Sequence, residues 1–417
     1  MRVIITSIGQ AGDVFPFFAM AQALMRRGHD AVLLLPPRFR NLAATFGIQF
    51  IPLKPSAGAR IKTSADNLLC NGLGMLRLWR DVLLPNVPVL VESLSAICSS
   101  EKPDWVIYHP ASIGVPWVCR RNGVRCAAAT LIPKAWLDYN RGDVHSVAPQ
   151  GETFRQRRIR RFLQRTRPVV RYLSDRTLNK IRRRLDYSPL NDVFYRQFAD
   201  CDLNLGLWSR SLRSPLPSDP DQGDICGFTW FDGAIESTSI NEEVGNFLAN
   251  GSPPIIFTLG TAVVSIAGHF YDMATEACRR LGRRGLLLIG SSKNIPRRQT
   301  QDVRAFDYVP LSRVLPHACL TVHHGGIGTT GQALRAGKPM LIIPFVYDQF
   351  DNAALAHRLR ICLTLDRRRL NAHVLATGLK RLLDHPMAAE RAAAIGQRIQ
   401  AEDGALRAVT LLEGNSE

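Results

Sequence analysis

Short apolar runs alternate with longer segments of helical periodicity along the whole chain. The runs predict strands, since apolar or β-branched residues fill most of their positions. Strands of this composition are covered on both faces, which is typical of parallel sheets flanked by helices. The runs lie at residues 2–6, 31–35, 104–108, 125–130, 203–207, 254–259, 286–289, 303–306, 320–322 and 340–343. The alternation predicts an α/β fold.

The chain begins with a strand, a turn, a helix and a second strand, which together predict a βαβ unit. Gly9 to Gly12 form the turn, and Pro16 lies near the start of the helix, where its missing N–H is harmless. Gly28 fits a C-cap at the end of that helix. Asp13 then lies at the carboxyl end of the first strand, where it is able to cap the helix or to face a cleft.

A second unit of this kind lies between Val322 and Ala353. A strand ends at two histidines, a glycine turn follows, and a helix runs to a stop at Gly337. Such a turn lets unpaired backbone N–H groups at a helix N-terminus point at a phosphate. Asp348 and Gln349 follow the next apolar run, at the sheet edge where open α/β sheets bind ligands. The glycines and histidines together favour a phosphate site over a purely structural turn.

The length of 417 residues predicts two domains. Residues 211–224 are rich in Pro, Ser and Asp, which is typical of a linker. We therefore expect a first domain over residues 1–212, a linker over 213–230 and a second domain over 231–400.

Composition limits the class of protein. The apolar content of 46% and the charged content of 21% are those of a globular protein. No secretory signal follows Arg2, and we expect no membrane-spanning helix, since no run of about eighteen apolar residues is apparent. The nine cysteines form no CxxC pair and no metal-ligand spacing. We expect free thiols in a cytoplasmic protein that binds no metal.

The net charge of +18 departs most from that of an average protein. Within residues 155–184, thirteen Lys or Arg residues accompany a single acidic residue, Asp175, and apolar residues recur at helical spacing. A basic amphipathic segment of this kind can lie on an anionic membrane surface. A solvated basic face is the alternative interpretation. Nucleic-acid binding is not expected, because no nucleic-acid-binding motif accompanies the charge.

The Val322–Ala353 unit resembles the donor-binding signature of family 1 nucleotide-sugar glycosyltransferases of the GT-B architecture. Residues 7–36 resemble the opening of the acceptor domain in bacterial members, through the Gly-Asp-Val element at Gly12. The resemblance implies two Rossmann-like domains facing across a cleft, the first binding the acceptor and the second the nucleotide sugar. It also implies that residues 401–417 form a helix packing back on the first domain. The nucleotide sugar is then a substrate, and no cofactor is implied.

The same resemblance implies roles for individual residues. Asp13 matches the general base that deprotonates the acceptor hydroxyl. The residues implied in donor binding are Gly260, Thr261, Tyr308, Val309, His323, Gly325, Gly326, Gly328, Thr329, Asp348 and Gln349. In that set His323 contacts the diphosphate, Tyr308 and Val309 hold the base, and Asp348 with Gln349 holds the sugar hydroxyls.

Three positions depart from patterns known in the family. Gly331 stands where many UDP-glucose enzymes carry a glutamate that binds the ribose diol, and Tyr308 and Leu311 stand where plant enzymes have Trp and Gln. A dTDP sugar lacks the ribose 2′-hydroxyl and would miss that glutamate least. Both dTDP and UDP sugars therefore stay open as donors.

In overall pattern the chain is most similar to bacterial rhamnolipid-type rhamnosyltransferases, through residues 12–17 (GDVFPF), 227–233 (GFTWFDG) and 346–353 (VYDQFDNA). This implies an inverting, metal-independent transfer of a hexose of the rhamnose or glucose type to a hydroxyl of a hydrophobic, lipid acceptor. Transfer to a small aglycone, such as a polyketide or a sterol, is the alternative. A GT-B sugar-nucleotide epimerase and an inactive binding subunit are further alternatives, and the intact Asp13 and His323 argue against the inactive subunit.

Overall fold

The computed structural model describes residues 1–54, 77–139, 169, 171–231, 233 and 242–414. The strands in these ranges are β1 (Arg2–Thr6), β2 (Asp30–Leu35), β3 (Gln49–Pro52), β4 (Trp105–Tyr108), β5 (Arg125–Thr130), β6 (Leu203–Gly206), β7 (Gly223–Ile225), β8 (Ile255–Thr258), β9 (Gly285–Leu288), β10 (Val303–Phe306), β11 (Leu320–His323), β12 (Met340–Ile342) and β13 (Cys362–Thr364). The α-helices are α1 (Ala11–Arg26), α2 (Arg40–Thr45), α3 (Leu84–Glu101), α4 (Val115–Asn122), α5 (Pro133–Tyr139), α6 (residues 171–184), α7 (Arg196–Ala199), α8 (Glu242–Ala249), α9 (Gly260–Val263), α10 (Phe270–Leu281), α11 (Leu311–Val314), α12 (Ile327–Arg335), α13 (Gln349–Arg358), α14 (Ala372–Leu383), α15 (Pro386–Gln400) and α16 (Gly404–Leu412).

The strands form two separate sheets. Within each sheet, every pair of neighbouring strands in the described ranges is parallel. The first sheet has the order β3-β2-β1-β4-β5-β6-β7, and the second has the order β10-β9-β8-β11-β12-β13. In each sheet the strand order reverses at its first strand, β1 or β8, and open sheets bind ligands beside such a point. The predicted α/β architecture with two Rossmann-like sheets is confirmed.

Alternate residues of β1 pack into two different layers. Val3 and Ile5 pack in a core shared with α1 and α16, whereas Ile4 packs in the opposite layer with residues of α3 and α4. All three side chains are fully buried. Helices on both faces explain why the strands read as continuous apolar runs rather than as an alternating pattern.

Part of the range expected to be a linker belongs to the first sheet. Gly223–Ile225 forms β7, which pairs with β6. The Pro- and Asp-rich stretch before it is closed by a buried ion pair between Arg213 and Asp219. A strand of three residues is too short to show an apolar run. The sequence therefore predicted a linker here, because the surrounding residues are typical of turns. The first domain therefore extends beyond residue 212.

The end of the chain lies against the first domain. On α16, Ala405, Ala408, Val409 and Leu412 join the core beneath α1. Just beyond the helix, Glu413 pairs with the His29 ring at 2.8 Å. The chain thus crosses from the second domain back to the first.

One helical stretch, Leu78–Glu101, is long and apolar enough to cross a membrane by length and composition, which differs from the sequence expectation. Its second part is α3, and the buried residues of α3 belong to the core of the first domain. Core helices pass the same test of length and hydropathy, so the finding is weak evidence for a span.

The basic segment at residues 155–184 is described only in part. Residues 155–168 lie outside the described ranges, and residues 171–184 form α6. The eight cysteines within the described ranges carry free thiols, and seven of them are buried, as expected for structural thiols.

Candidate active site

A cavity of about 540 Å³ lies between the carboxyl ends of the two sheets. The start of α1 lines it from the first domain, and loops after β8, β9 and β10 line it from the second domain, together with the start of α12. Six of the residues implied in donor binding line this cavity: Gly260, Thr261, Tyr308, Val309, Gly328 and Thr329. The two domains thus present their ligand-binding edges to one space.

The turn before α12 contains two glycines, Gly325 and Gly326, that no other residue could replace without movement of a neighbour. Gly325 has a φ of +88°, and a Cβ there would lie 2.9 Å from the Gln349 carbonyl oxygen. Gly326 is the N-cap residue and supplies no side-chain cap. The first N–H groups of the helix therefore have no partner within the helix, and the helix dipole adds partial positive charge at this end. This is an anion-binding geometry.

His323 lies beneath this turn and is fully buried. Its Nδ1 accepts the Gly325 N–H at 3.1 Å. Burial, with a smaller contribution from His324, lowers the pKa of His323 to about 3. The neutral ring then carries its proton on Nε2, and this atom has no hydrogen-bond partner among the described residues. His323 is therefore a buried neutral donor without an acceptor, which fits a phosphate oxygen.

His324, to which sequence reasoning assigned no role, holds two loops at their spacing. A Cβ on either Gly260 or Gly326 would collide with its ring, so the ring fills the space between those glycines. Burial lowers the pKa of His324 to about 4, so this ring is also neutral at pH 7. The pair of adjacent histidines was the available signal, but spacing alone did not separate a ligand-facing ring from a packing ring.

Asp348 and Gln349 follow β12 and do not line the cavity directly. The Asp348 carboxylate accepts Asn352 Nδ2 at 2.7 Å, and Asn352 also donates to the Gly325 carbonyl at 2.9 Å. Burial raises the pKa of Asp348 to about 6, with further contributions from the charges of Asp13 and Asp351. The carboxylate is thus held beside the glycine turn at a cost in desolvation.

The side-chain oxygen of Gln349 is already engaged. It accepts the N–H groups of Phe345 and Val346 at 2.9 and 3.0 Å and so fixes the loop before Asp348. This differs from the implied role of Gln349 as an acceptor for sugar hydroxyls. A contact from Gln349 to a sugar would have to come from its amide nitrogen.

Asp13 combines the two roles that its sequence position allowed. Its Oδ2 accepts the Gln10 N–H at 2.9 Å and so caps the start of α1. Its charge also acts across the cleft, since it contributes to the raised pKa of Asp348. Asp13 therefore lies at the start of α1, close enough to the loop before α13 for its charge to act on Asp348.

His109, at the carboxyl end of β4, lies close enough to Asp13 for their charges to interact. Its Nδ1 accepts the Ala111 N–H at 3.0 Å. Burial lowers the pKa of His109, and the charge of Asp13 partly opposes this. His109 directly follows the strand predicted at residues 104–108, and pairing of β1 with β4 brings it beside the Asp13 loop.

The absence of a glutamate at position 331 has a steric reason. A Cβ on Gly331 would lie 2.8 Å from the ring of Phe228, which is buried in the segment joining the domains. Gln332, the next residue, lines the cavity instead. The cavity wall beside Gly331 therefore carries a neutral amide, and position 331 itself carries no carboxylate.

One ion pair joins the domains beside this site. Lys134 of α5 contacts Asp351 of α13 at 2.8 Å. Asp351 is three residues from Asp348, so the pair connects the first domain to the segment that carries Asp348. Sequence reasoning did not find it, because nothing in either segment indicates its partner.

Comparison with known proteins gives matches over both domains. Residues 3–88 match the glycosyltransferase family 28 N-terminal domain, and residues 291–407 match the C-terminal domain described as erythromycin biosynthesis protein CIII-like. The chain is 28% identical to an O-mycaminosyltylonolide 6-deoxyallosyltransferase of Streptomyces fradiae, over 99% of this chain and 97% of that protein. It is 26% identical to a sterol 3-beta-glucosyltransferase of Arabidopsis thaliana, over 84% of this chain and 57% of that protein.

Among solved structures, a spinosyn rhamnosyltransferase complexed with thymidine diphosphate superposes with a TM-score of 0.70 at 17% identity, covering 99% of this chain and 100% of that one. This likeness confirms the GT-B fold that the sequence predicted. The family matches and the named relatives agree on the reaction type. The chain is therefore a nucleotide-sugar hexosyltransferase of the GT-B fold, similar over residues 3–88 to the family 28 N-terminal domain and over residues 291–407 to the EryCIII-like C-terminal domain.

Proposed function

We propose that this enzyme transfers a hexose with inversion from a dTDP sugar to a hydroxyl group of a hydrophobic acceptor. The observation that carries the proposal is the position of Asp13. Its neighbours Gly12 and Phe15 line the cavity together with Gly328 and Thr329 of α12, and its charge contributes to the raised pKa of Asp348. A base for the acceptor, an anion site for the leaving group and a carboxylate for the sugar then lie around one cleft.

The chemistry follows from this arrangement. Asp13 takes the proton of the acceptor hydroxyl while the acceptor oxygen forms a bond to the anomeric carbon. The bond from that carbon to the diphosphate oxygen breaks, and the nucleoside diphosphate leaves with the electron pair. The free N–H groups of α12 and the Nε2–H of His323 stabilise the negative charge that develops on the leaving group. A single displacement of this kind inverts the anomeric centre.

The donor that Gly331 favours is a dTDP sugar of the rhamnose or glucose type. Phe228 fills the space that a side chain at 331 would need, so no carboxylate is available at that position for a ribose 2′-hydroxyl. A deoxyribose has no 2′-hydroxyl, so it loses no hydrogen bond when this carboxylate is absent. A UDP sugar is the second candidate, since Gln332 lines the cavity and offers an amide to a ribose hydroxyl.

The acceptor class has two candidates. The named relatives act on a macrolide precursor and on sterols, which supports a hydrophobic aglycone. The rhamnolipid-like sequence pattern and the exposed basic and apolar surface of α6 support a lipid acceptor, met at the cytoplasmic face of a membrane. Both carry a hydroxyl on an apolar body, so the reaction at Asp13 is the same.

Titration calorimetry with dTDP, UDP and GDP tests the donor. We expect the tightest binding for dTDP, and equal affinity for UDP would overturn the assignment based on Gly331. The acceptor is tested by mass spectrometry of products from a dTDP-hexose mixed with a macrolide aglycone, a sterol or a hydroxyacyl lipid. Donor hydrolysis without transfer to any of these would contradict the proposed acceptor class.

A further inference from the structure

Helix α6 divides its polar side chains between two faces with different environments. On its inner face Asp175 accepts two backbone N–H groups of residues 192–193 at 2.7 and 2.8 Å. Asn179 and Arg182 bond to the backbone of residues 190 and 188, each donating at 2.8 Å. These inner polar groups hold α6 on the first domain.

The outer face of α6 carries cations that make no such contacts with the first domain. Arg176, Lys180, Arg183 and Arg184 are exposed and form no ion pair with any residue that the structure describes. Their spacing puts them on successive turns of one face. The surface they form is uncompensated, because Asp175, the one acidic residue of the helix, is turned inward.

Large apolar side chains extend the same face toward the N-terminal end of α6. Val169, Tyr172 and Leu173 are 58%, 65% and 54% exposed. They are three of only nine large apolar side chains that are exposed within the described ranges. Apolar residues at one end and four unpaired cations at the other make an amphipathic surface about 20 Å long, at 1.5 Å per residue.

We propose that this outer face of α6 docks the first domain on an anionic phospholipid bilayer. Val169, Tyr172 and Leu173 enter the boundary between headgroups and acyl chains, and the four cations lie over lipid phosphates. The four cations favour an anionic lipid surface over an apolar protein partner, because only the lipid surface offers negative charges opposite them. The apolar end decides against nucleic acid, since a phosphate backbone attracts the cations but gives exposed Val and Leu side chains no apolar phase to enter. The docking is independent of the donor and of the acceptor that the cavity receives.

Sedimentation with lipid vesicles tests the proposal on the full-length protein. Wild type should bind vesicles of equimolar phosphatidylcholine and phosphatidylglycerol, and it should not bind vesicles of phosphatidylcholine alone. Replacing all four cations, in R176Q/K180Q/R183Q/R184Q, should weaken the partition onto the anionic vesicles by at least about 100-fold, since each basic residue near such a surface contributes about fivefold. Y172S/L173S should weaken it by about tenfold or more and leave its salt dependence unchanged.

A matched variant controls for net charge alone. R26Q/R298Q/R369Q/R381Q removes four exposed cations from other parts of the surface and should bind anionic vesicles as wild type does. Equal loss in this control would show that total charge, not α6, drives binding and would overturn the proposal. The proposal would also be overturned if the wild-type protein did not bind the vesicles but bound duplex DNA through the same four residues. Unchanged thermal unfolding of each variant shows that α6 still packs, so the result stands whether or not dTDP proves to be the donor.

Discussion

Asp13 serves the fold with one carboxylate oxygen, and in the proposed mechanism the same carboxylate serves the reaction. One oxygen caps α1 through the Gln10 N–H, and the charge extends into the cleft toward Asp348 and His109. The sequence position allowed either role, and the structure is compatible with both at once. Substitutions at this residue must therefore separate the cap from the base.

Asp13→Asn makes that separation, because the asparagine side-chain oxygen can still accept the Gln10 N–H but cannot take the acceptor proton. We expect the transfer rate to fall by about 100-fold to 10,000-fold. Affinity for dTDP and the unfolding temperature should stay at wild-type values. Steady-state kinetics, calorimetry and thermal unfolding measure the three quantities. Transfer at a near wild-type rate would remove Asp13 from the role of base.

His323→Ala removes the buried Nε2–H that has no acceptor among the described residues. We expect the affinity for dTDP to fall by about tenfold to 100-fold, the range of a hydrogen bond to a charged group at about 1.5–3 kcal/mol. Thymidine, which has no phosphate, is the matched control ligand, and its affinity should not change. A parallel loss for thymidine would mean that the variant has distorted the whole site.

Asp348 makes the stability of the protein depend on pH. Its folded-state pKa is raised from 3.8 to about 6, mainly by burial. A raised pKa means that the folded state holds the proton more tightly, so this carboxyl favours folding below about pH 4 and that contribution is lost as the pH rises through 6. Asp348→Asn should therefore raise the free energy of unfolding by up to about 3 kcal/mol near pH 7, at 1.36 kcal/mol per pKa unit.

The gain in Asp348→Asn should shrink as the pH falls and vanish at about pH 3, below the unfolded-state pKa, where the carboxyl is mostly protonated in both states. Urea unfolding at several pH values measures it. A gain that does not vary with pH would show that burial of the charge is not its cause.

At the scale of elements, the α12 turn shows how much a sequence pattern can define. Strand, glycine turn and helix were predictable between Val322 and Gly337, because strands buried on both faces and helices with glycine stops each leave a periodic signal. The three-residue strand β7 left no periodic signal in the sequence. The resemblance assigned Gln349 to the sugar hydroxyls, whereas its side-chain oxygen accepts a backbone N–H of its own loop. Such contacts depend on tertiary packing, which neither periodicity nor composition records.

Two glycines of α12 make a matched pair for testing this packing. A Cβ on Gly328 meets nothing within 4 Å, whereas one on Gly331 would lie 2.8 Å from the Phe228 ring. Gly328→Ala should leave stability unchanged or raise it by up to about 1 kcal/mol, through helix propensity. Gly331→Ala should lower it by about 1–3 kcal/mol, because Phe228 is buried and cannot move freely. Urea unfolding compares them, and equal effects would contradict the steric account of the missing glutamate.

At the scale of the whole molecule, the two domains are joined by more than the connecting segment. Lys134 and Asp351 pair across the cleft, and α16 returns from the second domain to pack on α1. The sequence resemblance implied this return, but neither the ion pair nor the position of α6 on the first domain was visible in any local pattern. Long-range contacts of this kind join the two domains on either side of the cavity.

Leu412 and Leu406 of α16 test whether the last helix belongs to the first domain's folding unit. Leu412 is buried in the core beneath α1, and Leu406 is 40% exposed on the same helix. Leu412→Ala should lower the free energy of unfolding by about 2–5 kcal/mol, because it leaves a cavity between α16 and α1. Leu406→Ala should change it by less than about 0.5 kcal/mol.

Hydrogen exchange with mass spectrometry shows which elements the Leu412→Ala substitution destabilises. In Leu412→Ala we expect faster exchange in α1 and β1 at the other end of the chain, since these elements share its core, with exchange in β8 and β9 unchanged. Faster exchange confined to α15 and α16 would show that the last helix frays on its own and does not stabilise the domain that carries Asp13.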